Sequence, residues 1–504
     1  MKSMFHRSRF KLFLHIFLFI LVNISLFGEI AYRIIKHVFG TVSVDQILFH
    51  INAPVDAVDT SILLPILIGA LVYVAFIGLY AYVVFRVVII KKPLTRYHTE
   101  KIYIIYKNIF TGDTKTKTIM PPAYTGIVCY TVACLSIFVL SLHHIDRRYH
   151  IVDYLNRPTS DFIEKNYVVP QISFAQKKNL VLIVLESMEK GYGNSLIFGR
   201  NLIQELDALT IRNISFSGHV ETYASEWTQS AHVNMLMGIP MLSMTKNSAV
   251  PSELFLGNAW SVTDELSRQG YDIACFFGAT GQFSDMKKLF LSHGVKDVRE
   301  RDYFDAREKN PYLHYGTKWG YKDSYIYARM YEEYVRLRQG SRPFCLIMRT
   351  VDTHFPGGFV ENSKKVYGDT RDAIMESSRM CADFVSAIQK FDDDTAIIIV
   401  GDHLWMDSPL DNFTKFTEQL KHREIYNVFI NTVFDPKNVN TRRKFATFDL
   451  APTILESIGA RLEGHRFGLG TSLFSEEKTL CESYGASLLN EEFQKRQPFY
   501  QTLF

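Results

Sequence analysis

Three apolar runs of membrane-spanning length open the chain. Leu12–Gly28 is interrupted only by His15, Asn23 and Ser25, and neither Ser61–Phe85 nor Pro122–Leu142 carries a charge. Crossing hydrocarbon takes about 18–20 such residues, so the pattern predicts a membrane domain over residues 1–142 with three transmembrane helices. Lys2, Arg7, Arg9 and Lys11 precede the first run as in a signal peptide, but Gly28-Glu29-Ile30 is a poor cleavage site and a retained anchor is expected. Basic residues in short loops set the orientation. Arg86, Lys91, Lys92, Arg96, Lys101, Lys107, Lys115 and Lys117 follow the second run, whereas only Arg33 and Lys36 follow the first. The N-terminus and second loop are therefore expected in the cytoplasm, and three crossings put everything beyond about His143 outside it.

Residues 143–178 are polar and mixed, and read as a juxtamembrane connector with a short interfacial helix around Tyr149–Leu155. From Asn179 the rhythm changes. Asn179–Leu185, Tyr271–Gly278, Phe344–Met348 and Thr395–Val400 are short continuous apolar runs, the pattern of strands buried on both faces of a parallel sheet. Helical stretches at Val262–Gln269, Lys322–Arg338 and Arg371–Lys390 alternate with them. This predicts an α/β fold, a doubly wound domain over residues 179–504. Ligands of such sheets bind beyond the carboxyl ends of the strands. Those ends carry Glu186, Asp352 with His354, and Asp402 with His403.

Composition narrows the chemistry. With 47% hydrophobic residues and a formal charge of +4 over 504 residues, the chain is neither disordered nor marked by a nucleic-acid footprint. Its six cysteines (Cys129, Cys134, Cys275, Cys345, Cys381 and Cys481) form no CxxC pair and no metal-finger spacing. One acid after one strand is usually a solvated cap; three strands ending in acid or imidazole point to a site. Carboxylate and imidazole without thiolate suit a hard divalent ion, Mn²⁺ or Mg²⁺, with Zn²⁺ also compatible. Glu226 to Gly238 reads as a turn entering a helix, with Thr228 in its first turn. There Thr228 is either an N-cap or a hydroxyl that a divalent metal activates toward phosphorus or sulfur.

Glu186 after a strand, Thr228 at a helix start and Gly401-Asp402-His403 after a late strand resemble the alkaline phosphatase/sulfatase superfamily. Phe448–Gly459 followed by Gly468–Leu473 is similar to that superfamily's closing helix and loop. The strings Leu185–Glu189, Gly238-Ile239-Pro240, Leu291–Gly294, Trp319-Gly320, Asp352-Thr353-His354 and Asp402-His403-Leu404 are most similar to the membrane-bound phosphoglycerol transferases. These include the lipoteichoic acid synthases and the enzymes of osmoregulated periplasmic glucans.

The resemblance implies Glu186, Thr228, Asp402 and His403 as metal ligands, with Mn²⁺ foremost. Thr228 is also the implied nucleophile, with His354 as acid/base and phosphoryl contact. Trp319, Asp352 and Asp323 would line the substrate site. It further implies phosphatidylglycerol as lipid donor and a glycan as acceptor, with the catalytic domain on the periplasmic side of a bacterial inner membrane. Two departures stand out. An arginine that follows the Tyr271 strand in lipoteichoic acid synthases is missing, with Gln282, Lys287 and Lys288 nearby instead, and Phe448 replaces a common histidine, so a second metal is not expected. Thr228-Gln-Ser-Ala-His lacks the C/S-x-P-x-R context of formylglycine sulfatases. Rival readings are a phosphoethanolamine transferase, whose relatives carry more membrane helices and several disulfides, and a non-catalytic membrane-anchored scaffold.

Overall fold

The four apolar runs form strands: β1 (Leu180–Leu185), β2 (Asp272–Phe277), β4 (Phe344–Arg349) and β5 (Ala396–Gly401). Two shorter strands, β3 (Asp297–Arg299) and β6 (Asn427–Ile430), complete a six-stranded sheet of order β6-β5-β1-β4-β2-β3. All neighbours are parallel except β5 and β6, which run antiparallel. The computed structural model describes residues 2–39, 42–50, 60–84, 103–107, 114–118, 122–242, 254–317, 319–406 and 411–504.

Alternation divides the side chains of each strand between two cores. Leu180, Leu182 and Val184 of β1, Cys345 and Ile347 of β4, and Ala396, Ile398 and Val400 of β5 join one apolar cluster; the residues between them join the other. The first cluster is covered by helices α5 (Thr228–Met237), α6 (Val262–Arg268) and α9 (Leu450–Ser457). The second is covered by α7 (Asp323–Arg338) and α8 (Thr370–Gln389). Both faces are thus sealed, as a parallel sheet requires. Cys275, Cys345, Cys381 and Cys481 are buried free thiols.

The N-terminal part consists of helices α1 (Lys2–Phe39), α2 (Val44–His50), α3 (Thr60–Val84) and α4 (Pro122–Tyr149), with a hairpin pairing Tyr103–Lys107 with Thr114–Thr118. Among the described residues, one segment is long and apolar enough to cross a membrane, Ile16–His37, with mean hydropathy 1.8. It runs on past Gly28, for Glu29 is paired with Arg33 one turn on and the helix continues through both. Leu64–Tyr80 is a shorter apolar helical stretch. Phe85 and the basic residues Arg86, Lys91, Lys92, Arg96 and Lys101 lie outside the described residues.

The chain divides into two units, residues 1–36 with 62–153, and residues 37–61 with 154–504. The stretch expected as a connector is, from Tyr154 onward, built into the second unit. Ile163 is fully buried, and Ile172–Phe174 pairs antiparallel with Ala460–Leu462. The segment between α1 and α3 joins that unit as well. Asp45 of α2 is 1% exposed, accepts the Tyr154 hydroxyl at 2.6 Å and the Tyr223 hydroxyl, and lies 3.9 Å from the Arg157 guanidinium.

Candidate active site and metal centre

Three strand ends on one sheet face build the centre. Two residues past Val184 and Val400, which point into the α5 side of the core, period-two alternation aims Glu186 and Asp402 to that same side. The turns are tightly held. The Glu186 N–H donates to Thr350 Oγ1 at 2.9 Å, Thr353 Oγ1 donates to the Glu186 carbonyl at 2.6 Å, and Ser187 adopts a left-handed φ of 53°. Asp402 Oδ1 accepts the N–H groups of Ser187 at 2.7 Å and His403 at 2.8 Å.

Thr228 arrives on α5. Trp227, with extended backbone, occupies the cap position, and its N–H donates to Ser230 Oγ at 3.2 Å. Thr228 is therefore the first helical residue rather than the cap, and its hydroxyl is turned to the centre. Thr228 Oγ1 lies 3.2 Å from Glu186 Oε2 and 3.4 Å from His403 Nε2. His403 Nε2 is also 3.4 Å from Glu186 Oε1 and 3.5 Å from Asp402 Oδ2. Glu186, Asp402 and His403 are buried, whereas Thr228 is half-buried and faces the opening.

The arrangement fits a divalent ion. Ligand atoms of Glu186, Asp402 and His403 lie within 4.8 Å of one another, and a tetrahedron with bonds near 2.1 Å has edges of about 3.4 Å. Asp402 Oδ2 is shielded from solvent with no hydrogen-bond partner among the described residues, an orphaned acceptor that a cation would satisfy. His403 Nδ1 is 2.7 Å from the Leu404 carbonyl, so Nδ1 carries the proton and Nε2 is presented as the ligand atom.

Electrostatics report the same demand for positive charge. Burial pushes the Asp402 carboxyl up to about 7, with repulsion from Glu186 adding to it. Burial opposes protonation of His403, yet the charge of Asp402 and the Glu186 contact raise it to about 10. Burial also opposes ionisation of Glu186, but the imidazoles of His354 and His403 and the Arg349 guanidinium override it and hold this carboxyl below the usual range.

His354 follows β4, half-buried and close enough for its charge to act on Glu186, with its Nδ1 2.6 Å from the Phe355 carbonyl. Against the pull of Glu186, burial holds its pKa down. Trp319 packs on it with ring centroids 4.5 Å apart. Asp352 is placed differently. It is 2% exposed, and its Oδ2 accepts the N–H of Asp323 at 2.9 Å, while Asp323 accepts the N–H groups of Val351 at 2.8 Å and Asp352 at 2.9 Å. This reciprocal brace pins the start of α7 to the loop that carries His354.

Other supports were not evident from the sequence. Glu189, fully buried, receives Arg423 at 2.6 Å and the Trp405 N–H at 2.8 Å, tying the turn after Glu186 to the segment after His403. Glu221 accepts the Leu404 N–H at 3.2 Å. Arg349, at the end of β4, is only 6% exposed. Sequence spacing carries no signal for any of these, since their partners are separated by tens to hundreds of positions.

Known proteins share much of this chain's sequence and fold. The chain is 28% identical over 333 residues to phosphoglycerol transferase I of Xanthomonas campestris pv. campestris, covering 64% of this chain and 46% of that protein. It is 27% identical over 310 residues to phosphoglycerol transferase I of Escherichia coli O6:K15:H31, covering 59% and 39%. The chain thus spans less than half the length of these relatives. Among solved structures, the integral membrane lipooligosaccharide phosphoethanolamine transferase A of Neisseria meningitidis superimposes with a TM-score of 0.50 at 10% identity, covering 95% of this chain and 87% of that one. That likeness concerns the fold alone. The Sulfatase family model matches residues 178–460, and the chain belongs to the sulfatase family.

Proposed function

We propose that the protein is a metal-dependent phosphotransferase that moves phosphoglycerol from phosphatidylglycerol to a glycan acceptor outside the cytoplasmic membrane. The observation that carries this reading is the placement of Thr228 Oγ1, 3.2 Å from Glu186 and 3.4 Å from His403 at the mouth of a buried acidic cluster. Glu186, Asp402, His403 and Thr228 would hold the ion, and the oxygen-rich donor set favours Mn²⁺. A bound divalent ion supplies charge neutralisation and a lowered pKa for the threonine hydroxyl.

Thr228 Oγ attacks phosphorus, forming one P–O bond as the bond to diacylglycerol breaks. Its proton leaves with the diacylglycerol oxygen, relayed through His354 Nε2. An acceptor hydroxyl then attacks the phosphoglyceryl-threonine; the Thr228 P–O bond breaks, and the acceptor's proton returns to Thr228 Oγ through the same imidazole. Trp319 holds the His354 ring and walls the site from water. Positioning and charge neutralisation account for most of the rate in such transfers.

Asp45 of α2 accepts the hydroxyls of Tyr154 and Tyr223 in the catalytic unit, which supports placing the segment after the first apolar run and the site on the same, periplasmic side. The test is diacylglycerol release by the purified full chain. Vesicles of phosphatidylglycerol and of phosphatidylethanolamine are compared, each with Mn²⁺ and with chelator. Release from phosphatidylglycerol alone, lost with chelator, supports the reading. Release from phosphatidylethanolamine assigns the transferred group to phosphoethanolamine, and release from neither favours the scaffold.

A further inference from the structure

Arg349 ends β4 in register with Val184 of β1 and Phe277 of β2. Alternation places it with Cys345 and Ile347 on the α5 face of the sheet, the face that Glu186 and Asp402 share. Adjacent strands about 4.8 Å apart and a two-residue offset put its Cα roughly 8 Å from that of Glu186, a distance that an arginine side chain spans. Its charge is felt by Glu186, His232, His354 and Asp323. Arg349 therefore lies on the face of the sheet that carries Glu186, near enough for its charge to act there.

Yet, among the described residues, no carboxylate pairs with this guanidinium. It is 6% exposed, its Nε is shielded from solvent without a hydrogen-bond partner among the described residues, and its contact is the face of Phe277 at 5.9 Å. Of the carboxylates in range, Glu186 faces His403 and Thr228, and Asp323 is committed to the N–H groups of Val351 and Asp352. Buried guanidinium groups are paired in native proteins, and the missing partner here is an anion small enough to enter with the substrate.

We infer that Arg349 is the phosphate-binding cation of this site, taking the non-bridging phosphoryl oxygens of the group under attack by Thr228. This inference rests on the phosphotransferase reading. Lys287, after β2, is engaged with Glu300 at 2.9 Å. Arg349 supplies the charge from the neighbouring strand.

The test is calorimetric titration of inorganic phosphate into the Mn²⁺-loaded, detergent-solubilised full chain, for wild type, Arg349→Lys, Arg349→Gln and Arg349→Met. Hydrogen bonds to a charged phosphate predict that Arg349→Gln weakens phosphate by at least about tenfold, with Arg349→Lys in between. Mn²⁺ affinity should stay equal or tighten, since a cation has been removed from beside an anionic metal site. Arg349→Met should melt at or above the wild-type temperature without phosphate, because an unpaired buried charge has been deleted. Equal phosphate affinity in wild type and Arg349→Gln overturns the inference, as does wild type that binds no phosphate. A lowered melting temperature in Arg349→Met with phosphate affinity intact makes the guanidinium structural and overturns it too. Arg349-dependent phosphate binding without diacylglycerol release sustains the inference while removing the proposed donor.

Discussion

Replacing Gly401 with alanine should uncouple two metal-ligand segments without replacing any ligand residue. Gly401 ends β5 directly before Asp402 and His403. A Cβ there would lie 2.0 Å from the Met188 carbonyl oxygen and 3.2 Å from the Tyr426 nitrogen. Both atoms are backbone and already committed, for Tyr426 N–H donates to that same carbonyl at 2.8 Å and Gly401 N–H donates to the Tyr426 carbonyl at 2.7 Å. Ordinary contact therefore requires the end of β5 and the turn after Glu186 to separate by about 1.4 Å. The Thr228–Glu186–His403 separations of 3.2–3.4 Å would open by a comparable amount. A misplacement of about 1 Å costs roughly 10²-fold in rate, and the overpacking itself costs about 1–3 kcal/mol. We expect Gly401→Ala to lower kcat/KM for diacylglycerol release by roughly 10²-fold and to weaken Mn²⁺ in a chelator competition. A folded Gly401→Ala protein with Mn²⁺ affinity and kcat/KM within about threefold of wild type would refute the argument that this close approach sets the site.

Three further outcomes follow from other parts of the structure. His354→Ala should reduce turnover by roughly 10²- to 10⁴-fold, as for loss of a general acid/base, while Mn²⁺ affinity measured by calorimetry is unchanged; a parallel loss of metal would make His354 a ligand instead. Burial lowers His219 to about 3, with its Nε2 3.2 Å from Thr447 Oγ1. The unfolded chain then binds the extra proton between about pH 6.5 and pH 3, and stability falls as pH drops through that window, by about 2 kcal/mol at pH 5. Urea unfolding of the full chain followed by tryptophan fluorescence should show this slope, and His219→Gln should flatten it. Asp45→Ala strips the acceptor from the Tyr154 and Tyr223 hydroxyls, so hydrogen exchange in residues 44–50 should accelerate markedly; unchanged protection would mean that α2 is held by other contacts.

Much of the site was readable because parallel strands advertise themselves. Continuous apolar runs such as Leu180–Leu185 and Ala396–Gly401 mark both their own location and the point where a polar residue must lie at the carboxyl edge. Glu186, Asp402 and His403 were found that way. The strands β3 and β6 escaped because Asp297–Arg299 and Asn427–Ile430 are too short to display a period. Arg349 gives no sequence signal; its burial and its pairing with Val184 and Phe277 emerge only in the fold. The bracing pairs Glu189–Arg423 and Asp323–Asp352, and the docking of Asp45 against Tyr223, are contacts across long stretches of sequence, which only folding reveals. Sequence leaves Thr228 as cap or nucleophile; in the structure Trp227 takes the cap position and the threonine hydroxyl lies 3.2 Å from Glu186.

The central claim is that Thr228 becomes covalently loaded from a phospholipid. Intact-mass analysis of the full chain, incubated with phosphatidylglycerol vesicles and Mn²⁺ in the absence of acceptor, tests it most directly. The account predicts a phosphoglyceryl adduct mapped to Thr228, absent with chelator and absent in Thr228→Ala, with one diacylglycerol released per adduct. Undiminished diacylglycerol release by Thr228→Ala, or an adduct mapped to another residue, would contradict it.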